Sequence, residues 1–147
     1  MSQDLYGRSF QAFHEDSSRR SAHATVPVVL RHVPARSVVD VGCGIGTWLV
    51  EFQAAGVSDY LGIDGPWVDR TQLLIDPARF IACDLTKPWP VDRRFDLATC
   101  LEVAEHLPES SAGQLVESLC RLAPVVLFSA AIPRQAGDGH INLQYPE

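Results

Sequence analysis

The sequence predicts an α/β protein with a doubly wound, mainly parallel sheet. Three observations carry this. The run Val38-Val39-Asp40-Val41 is mostly β-branched, which suits a strand covered on both faces. Glycines at 42, 44 and 46 follow it, and then a helical apolar pattern begins. Four more short apolar runs follow, two of them ending in an acid, Asp64 or Asp84.

Residues 1–33 read as an N-terminal helical segment, and residues 34–147 as the main domain. Tyr6, Phe10 and Phe13 have helical spacing (i, i+4, i+7) and imply a short amphipathic helix. Packing onto the domain is the plainer expectation for them, and a lid over a ligand the sharper one. Ala22, Val26, Val29, Leu30 and Val33 make the inner face of a second helix over 18–33. Pro27 sits inside that pattern and predicts a kink or a break. Arg19 and Arg20 at its start read as a solvated pair, or as partners of a ligand carboxylate.

After the first strand, Trp48, Leu49, Phe52 and Ala55 line one face of a helix from about residue 47, and Gly56 is placed to end it. A second strand is expected over 60–63, ending in Asp64-Gly65, which completes a right-handed βαβ unit. Pro66-Trp67-Val68 is expected to turn, with Trp67 either near a ligand or simply packed on the surface. The third strand is expected over 79–83, ending in Asp84-Leu85. The prolines of Lys87-Pro88-Trp89-Pro90 oppose helix and strand alike, so that stretch is a loop. The fourth strand is expected over 95–100. A helix over 109–122 turns Ala112, Leu115, Val116, Leu119 and Leu122 inward. The fifth strand, over 124–131, is nearly all apolar and is expected to be central or well covered. A glycine-bearing loop follows, over 132–142.

The chain of 147 residues suffices for one domain and one core. Its net charge of −6, with no basic tract, argues against nucleic acid and membrane surfaces as partners. No charged-then-apolar leader and no apolar run of spanning length is seen. Cys43, Cys83, Cys100 and Cys120 lack C-x-x-C spacing and read as reduced thiols of a cytoplasmic protein, not as a disulfide frame or a zinc site.

Asp40 narrows what the glycine loop binds. A dinucleotide loop has the spacing G-x-G-x-x-G and holds a pyrophosphate, which an acid two residues before the first glycine would repel. Here the spacing is G-x-G-x-G with that acid in front, so a nicotinamide oxidoreductase is disfavoured. A cationic ligand fits better, and S-adenosylmethionine carries both a sulfonium and an ammonium. Asp64 lies 22 positions after Gly42, the usual place for a carboxylate that accepts ribose hydroxyls.

Asp-Val-Gly-Cys-Gly-Ile-Gly at 40–46 resembles motif I of the class I, Rossmann-like S-adenosylmethionine-dependent methyltransferases. Glu102-Val103-Ala104-Glu105-His106 resembles the family's post-strand E-V-x-E-H block, and the loop from Ile132 resembles that of bacterial small-molecule members. The resemblance covers about residues 30–145. It implies strand order 3-2-1-4-5, with the last two of the usual seven strands lacking. It implies a cofactor site of Asp40, Gly42, Cys43, Gly44, Asp64, Gly65, Asp84, Leu85, Cys100 and Leu101. In this assignment Asp84 takes the adenine amine, the Leu85 N–H meets a ring nitrogen, and the backbone at Cys100 and Leu101 faces the methionine end. S-adenosylhomocysteine is then the product.

The implied function is methyl transfer to a small-molecule acceptor, with His106 and His140 as candidate bases. Both lie beyond strand carboxyl ends, where open α/β sheets bind ligands. Glu102 precedes His106 by four residues, so a helix would put the two on one face. A metal is the other reading of Glu102, Glu105, His106 and His140. The Asp/Asn cluster of magnesium-dependent catechol-type enzymes is absent from the sequence, so no metal is expected. The alternative function is a catalytically incomplete cofactor-binding module that dimerises or serves a partner subunit. An apolar fifth strand is a poor open edge, so a homodimer through it, or cover by the tail, is expected.

Overall fold

The computed structural model describes the backbone of residues 3–135 and 137–145 and the side chains from residue 17 onward, apart from Ala136, Pro146 and Glu147. The expectation for Tyr6, Phe10 and Phe13 lies outside the described side chains.

Among the described residues five parallel strands form one sheet: β1 (Ser37–Val41), β2 (Asp59–Asp64), β3 (Phe80–Ala82), β4 (Leu97–Leu101) and β5 (Val126–Ser129). Their order is β3-β2-β1-β4-β5, as expected. The chain therefore reverses its winding direction at β1, and the crevice at the carboxyl ends of β1 and β4 is the switch point of the sheet.

The helices are α1 (Gln3–His32), α2 (Thr47–Ala54) and α3 (Ala112–Leu122). Alternation along β1 divides the core between the two faces of the sheet. Val38, with Leu97 of β4, packs in one cluster with Val26 of α1 and with Leu49 and Phe52 of α2. Val39 and Val41 pack in the other with Leu115, Leu119 and Leu122 of α3. The fully buried Leu49 and Phe52 each contribute about 1.5–3 kcal/mol by leaving water.

Four expectations are corrected. The two N-terminal helices are one: α1 runs unbroken through Pro27. Ala22 and Val26 are buried, and Val29 and Leu30 pack on the same core, which compensates the hydrogen bond that proline cannot donate. Val116 of α3 is half exposed rather than inward, and Ser118 is buried in its turn of the helix. Residues 109–111 form a separate 3-10 turn before α3. Finally, β5 is neither central nor well covered. Among the described residues it is an edge strand bonded only to β4, with Phe128 48% exposed. Apolar composition reports what a strand can bury, while its place in the sheet decides what it does bury.

Candidate functional site

The glycine loop turns sharply because three of its residues take positive φ: Gly42 (77°), Gly44 (54°) and Gly46 (94°). At Gly42 a Cβ would lie 2.2 Å from a methyl of Val103, the residue that follows β4 by two positions. Only glycine lets the loop pass that close to the β4 segment.

Asp64 ties the loop to the end of β2. Its Oδ2 accepts the Gly44 N–H at 2.6 Å and its Oδ1 accepts the Gly65 N–H at 2.6 Å. Each oxygen keeps a lone pair for a ligand hydroxyl. Burial pushes its carboxyl above the ordinary range, and the two backbone hydrogen bonds pull it partly back.

Asp40 lies in register with Thr99 across the β1–β4 pair, and the Thr99 hydroxyl donates to Asp40 Oδ1 at 2.6 Å. Asp40 is almost fully buried. Desolvation raises its carboxyl to about 7, Thr99 opposes the rise, and the charge of Asp64 adds to it. Two buried acids under one loop make a site short of positive charge. Thr99 is the partner that sequence reasoning missed. Its signal was one hydroxyl in the otherwise apolar run Leu97-Ala98-Thr99-Cys100-Leu101.

The other expected cofactor residues divide into groups. The Cys43 thiol is buried beside Gly62, and its amide donates to the Ile63 carbonyl, so its side chain fills the core between β1 and β2. Cys100 is fully buried and Leu85 nearly so, both in the α3-side core. Only the main chain of these three residues is left to face a ligand. Burial drives both the Cys43 and Cys100 thiols well above their usual range, which makes them inert. Asp84 is exposed and organises its own turn: Oδ1 accepts the Thr86 N–H (2.9 Å) and hydroxyl (2.6 Å), and Oδ2 pairs with Lys87 Nζ at 3.4 Å. Gly65 lies under the Trp67 ring, which otherwise stands 72% exposed.

A cavity of about 540 Å³ opens where α1, α2 and β4 meet, lined by Ser17, Ser18, Ser21, Trp48, Leu101, Glu102 and Ser129. Of the expected site residues, Leu101 lines it. Arg19 does not reach toward a ligand. It faces Glu51 of α2 at 4.0 Å, beside His23, which is 3.0 Å from the same carboxylate.

The expected Glu102–His106 pairing on a helix does not form. Glu102 takes positive φ (57°), and the helical turn that follows is a single 3-10 turn, Ala104–His106. Glu102 Oε1 accepts the Ser129 hydroxyl at 2.8 Å instead. A non-glycine residue held in this region stores strain, and such strain concentrates at functional sites. His106 turns to the loop after β5: its Nδ1 is 3.1 Å from the Gly139 carbonyl, and its ring meets that of His140 edge-on at 5.0 Å.

The strand order with its glycine loop is the Rossmann-like arrangement, and the buried Asp40 ahead of that loop argues against the pyrophosphate of the dinucleotide binders. The chain belongs to the Methyltransferase domain family, whose model matches residues 13–136. Among curated proteins, none matches the sequence. Solved structures similar to this chain include SAM-bound CalS10, an amino pentose methyltransferase from Micromonospora echinaspora (23% identity, 89% of this chain and 59% of that one, TM-score 0.68). Streptomyces venezuelae DesVI is similar over 95% of this chain and 61% of its own (21% identity, TM-score 0.64). The methyltransferase domain of bacterial CtHen1 is similar over 75% of this chain and 65% of its own (24% identity, TM-score 0.58). The chain spans less than two thirds of the length of these structures. Among the described residues no helix is long and apolar enough to cross a membrane.

The donor set fits S-adenosylmethionine. Asp64 offers a diol two carboxylate oxygens already oriented by backbone amides, and Asp40 offers a buried carboxyl whose ionised form a cationic ligand favours.

Proposed function

We propose that this chain binds S-adenosylmethionine and transfers its methyl group to a small-molecule acceptor in the cytoplasm. The observation that carries the reading is the pair of buried acids, Asp40 and Asp64, against a loop of three positive-φ glycines. S-adenosylmethionine supplies a methyl carbon on a cationic sulfur; the acceptor lone pair bonds to that carbon, and the C–S electron pair leaves with a neutral thioether. Asp64 binds the ribose hydroxyls through its free lone pairs. Asp84 and the Leu85 N–H hold the adenine edge. Asp40 balances the charge of the methionine end, where the main chain at Cys100 and Leu101 also faces. The glycines Gly42, Gly44 and Gly65, with the main chain of Cys43, leave room for close approach. With a neutral leaving group, positioning supplies much of the rate. An oxygen or nitrogen acceptor must also shed a proton, and His106 or His140 takes it. The acidic net charge supports a small acceptor over nucleic acid.

A second reading is favoured by the β5 edge. Val116, Phe128 and Tyr145 are exposed and line an apolar groove of about 340 Å³ beside it. In that reading the chain is a catalytically incomplete cofactor-binding module that completes its sheet against a second copy or a partner subunit. Calorimetric titration with S-adenosylhomocysteine and with NADH tests the function. Binding of the first alone is the expected result, and turnover of any acceptor then rejects the incomplete module. Binding of NADH, or of neither ligand, overturns the proposal.

A further inference from the structure

Beyond the glycine loop, the segments after β4 and β5 meet in a second cluster of chemistry-bearing groups. One ligand atom from each of Glu105, His106 and His140 lies within 4.8 Å of the others. Glu105 is fully buried. Its Oε1 accepts the Ala131 N–H at 3.0 Å, while its Oε2 has no hydrogen-bond partner among the described residues. A buried carboxylate oxygen without a partner is costly, so something ordinarily satisfies it. His140 Nδ1 is buried and unpartnered in the same sense.

The tautomer of His106 follows from its partner. A carbonyl only accepts, so the contact with Gly139 requires His106 Nδ1 to carry the proton and leaves the Nε2 lone pair free. An imidazole whose distal N–H is fixed on a backbone carbonyl is the usual state of a metal-bound histidine. Two glycines allow this arrangement. A Cβ on Gly137 would overlap the His140 ring, and Gly139 takes φ 77° to present its carbonyl to His106.

We propose that Glu105, His106 and His140 form a binding site for a divalent transition-metal ion of the borderline class, such as Zn²⁺, Co²⁺ or Ni²⁺. Two imidazoles and one carboxylate suit these ions better than Mg²⁺ or Ca²⁺, which take oxygen ligands. Bonds of about 2.1 Å in tetrahedral geometry hold ligand atoms about 3.4 Å apart, so a modest closure of these side chains suffices. Three protein ligands leave a coordination position open, as in catalytic rather than structural sites. Resting on the methyl-transfer reading, the open position selects an acceptor that offers an oxygen, a hydroxyl or a carboxylate; the ion lowers the pKa of a hydroxyl so bound, its proton passes to solvent water, and the two imidazoles then serve as ligands in place of the base role given to them above.

The test uses the full chain, stripped with chelator and titrated with Co²⁺, following the visible d–d absorption and the heat of binding. Wild type is expected to bind about one equivalent. His140→Ala and Glu105→Gln are each expected to weaken binding about tenfold or more while retaining the far-UV spectrum of wild type. Should Glu105→Gln fail to fold, His140→Ala, on a partly exposed loop, decides alone. Absence of a d–d band, or a band of equal affinity in the folded variants, overturns the proposal. A parallel titration with S-adenosylhomocysteine separates this outcome from failure of the cofactor site, because the metal ligands are distinct from the residues assigned to the cofactor.

Discussion

Replacing Asp40 by Asn tests the electrostatics of the site directly. In the folded chain the Asp40 carboxyl is raised from 3.8 to about 7. Between those values the native state holds a proton that the unfolded chain has lost. Stability therefore falls as pH rises, by about 1.4 kcal/mol per pH unit. Over the roughly three units the loss is on the order of 4 kcal/mol: the contribution is complete below pH about 4 and gone above about 7. Asn keeps an oxygen for the Thr99 hydroxyl and carries no charge. Asp40→Asn is thus expected to be more stable than wild type at pH 8, by up to about 4 kcal/mol, and nearly equal at pH 4. Urea unfolding at a series of pH values gives the curve for each protein. Binding of a ligand with an ammonium group should behave oppositely. Such a ligand favours the ionised carboxylate, so S-adenosylhomocysteine affinity in wild type should climb by up to about tenfold per unit toward pH 7. In Asp40→Asn that climb should be absent. Equal pH dependence of stability in the two proteins would refute the reasoning, because burial of Asp40 would then carry no proton linkage.

Gly42→Ala is expected to destabilise by about 2–5 kcal/mol, from positive φ (about 1–2) and overlap with Val103 (about 1–3). In a Val103→Ala background only the φ part should remain, and a urea-derived double-mutant cycle with no coupling would reject the contact. Asp64→Asn turns an amide NH₂ toward one of two backbone donors, at Gly44 or Gly65, so a loss of about 1–3 kcal/mol is expected together with weaker S-adenosylhomocysteine binding. Unchanged stability and affinity would show that the carboxylate is not holding the loop. Phe128→Lys puts a charge on the exposed β5 edge and should convert a wild-type dimer to monomer in sedimentation. A wild type that stays monomeric across the accessible concentrations would remove the homodimer.

Much of this protein was legible from residue order because local rules governed it. The β-branched run Val38-Val39-Asp40-Val41 placed β1, the glycines placed the sharp turn, and Asp64 ended β2. Each depends on neighbours in sequence, through strand propensity, allowed φ and helix periodicity. The unbroken α1 escaped that reading because packing of Ala22 and Val26 outweighs the local penalty at Pro27. The fifth strand escaped it because composition does not state position in a sheet.

What only the tertiary structure decided are relations between segments far apart in the chain. Thr99 reaches Asp40 across a strand register, Val103 makes Gly42 indispensable, and Gly139 orients His106 in place of Glu102. The sequence by itself determined the fold class, the loop and the acids proposed to hold the cofactor. Folding determined which of these groups share a dielectric, a proton or a ligand, because such couplings fall off within a few ångströms and sequence separation carries no record of that distance.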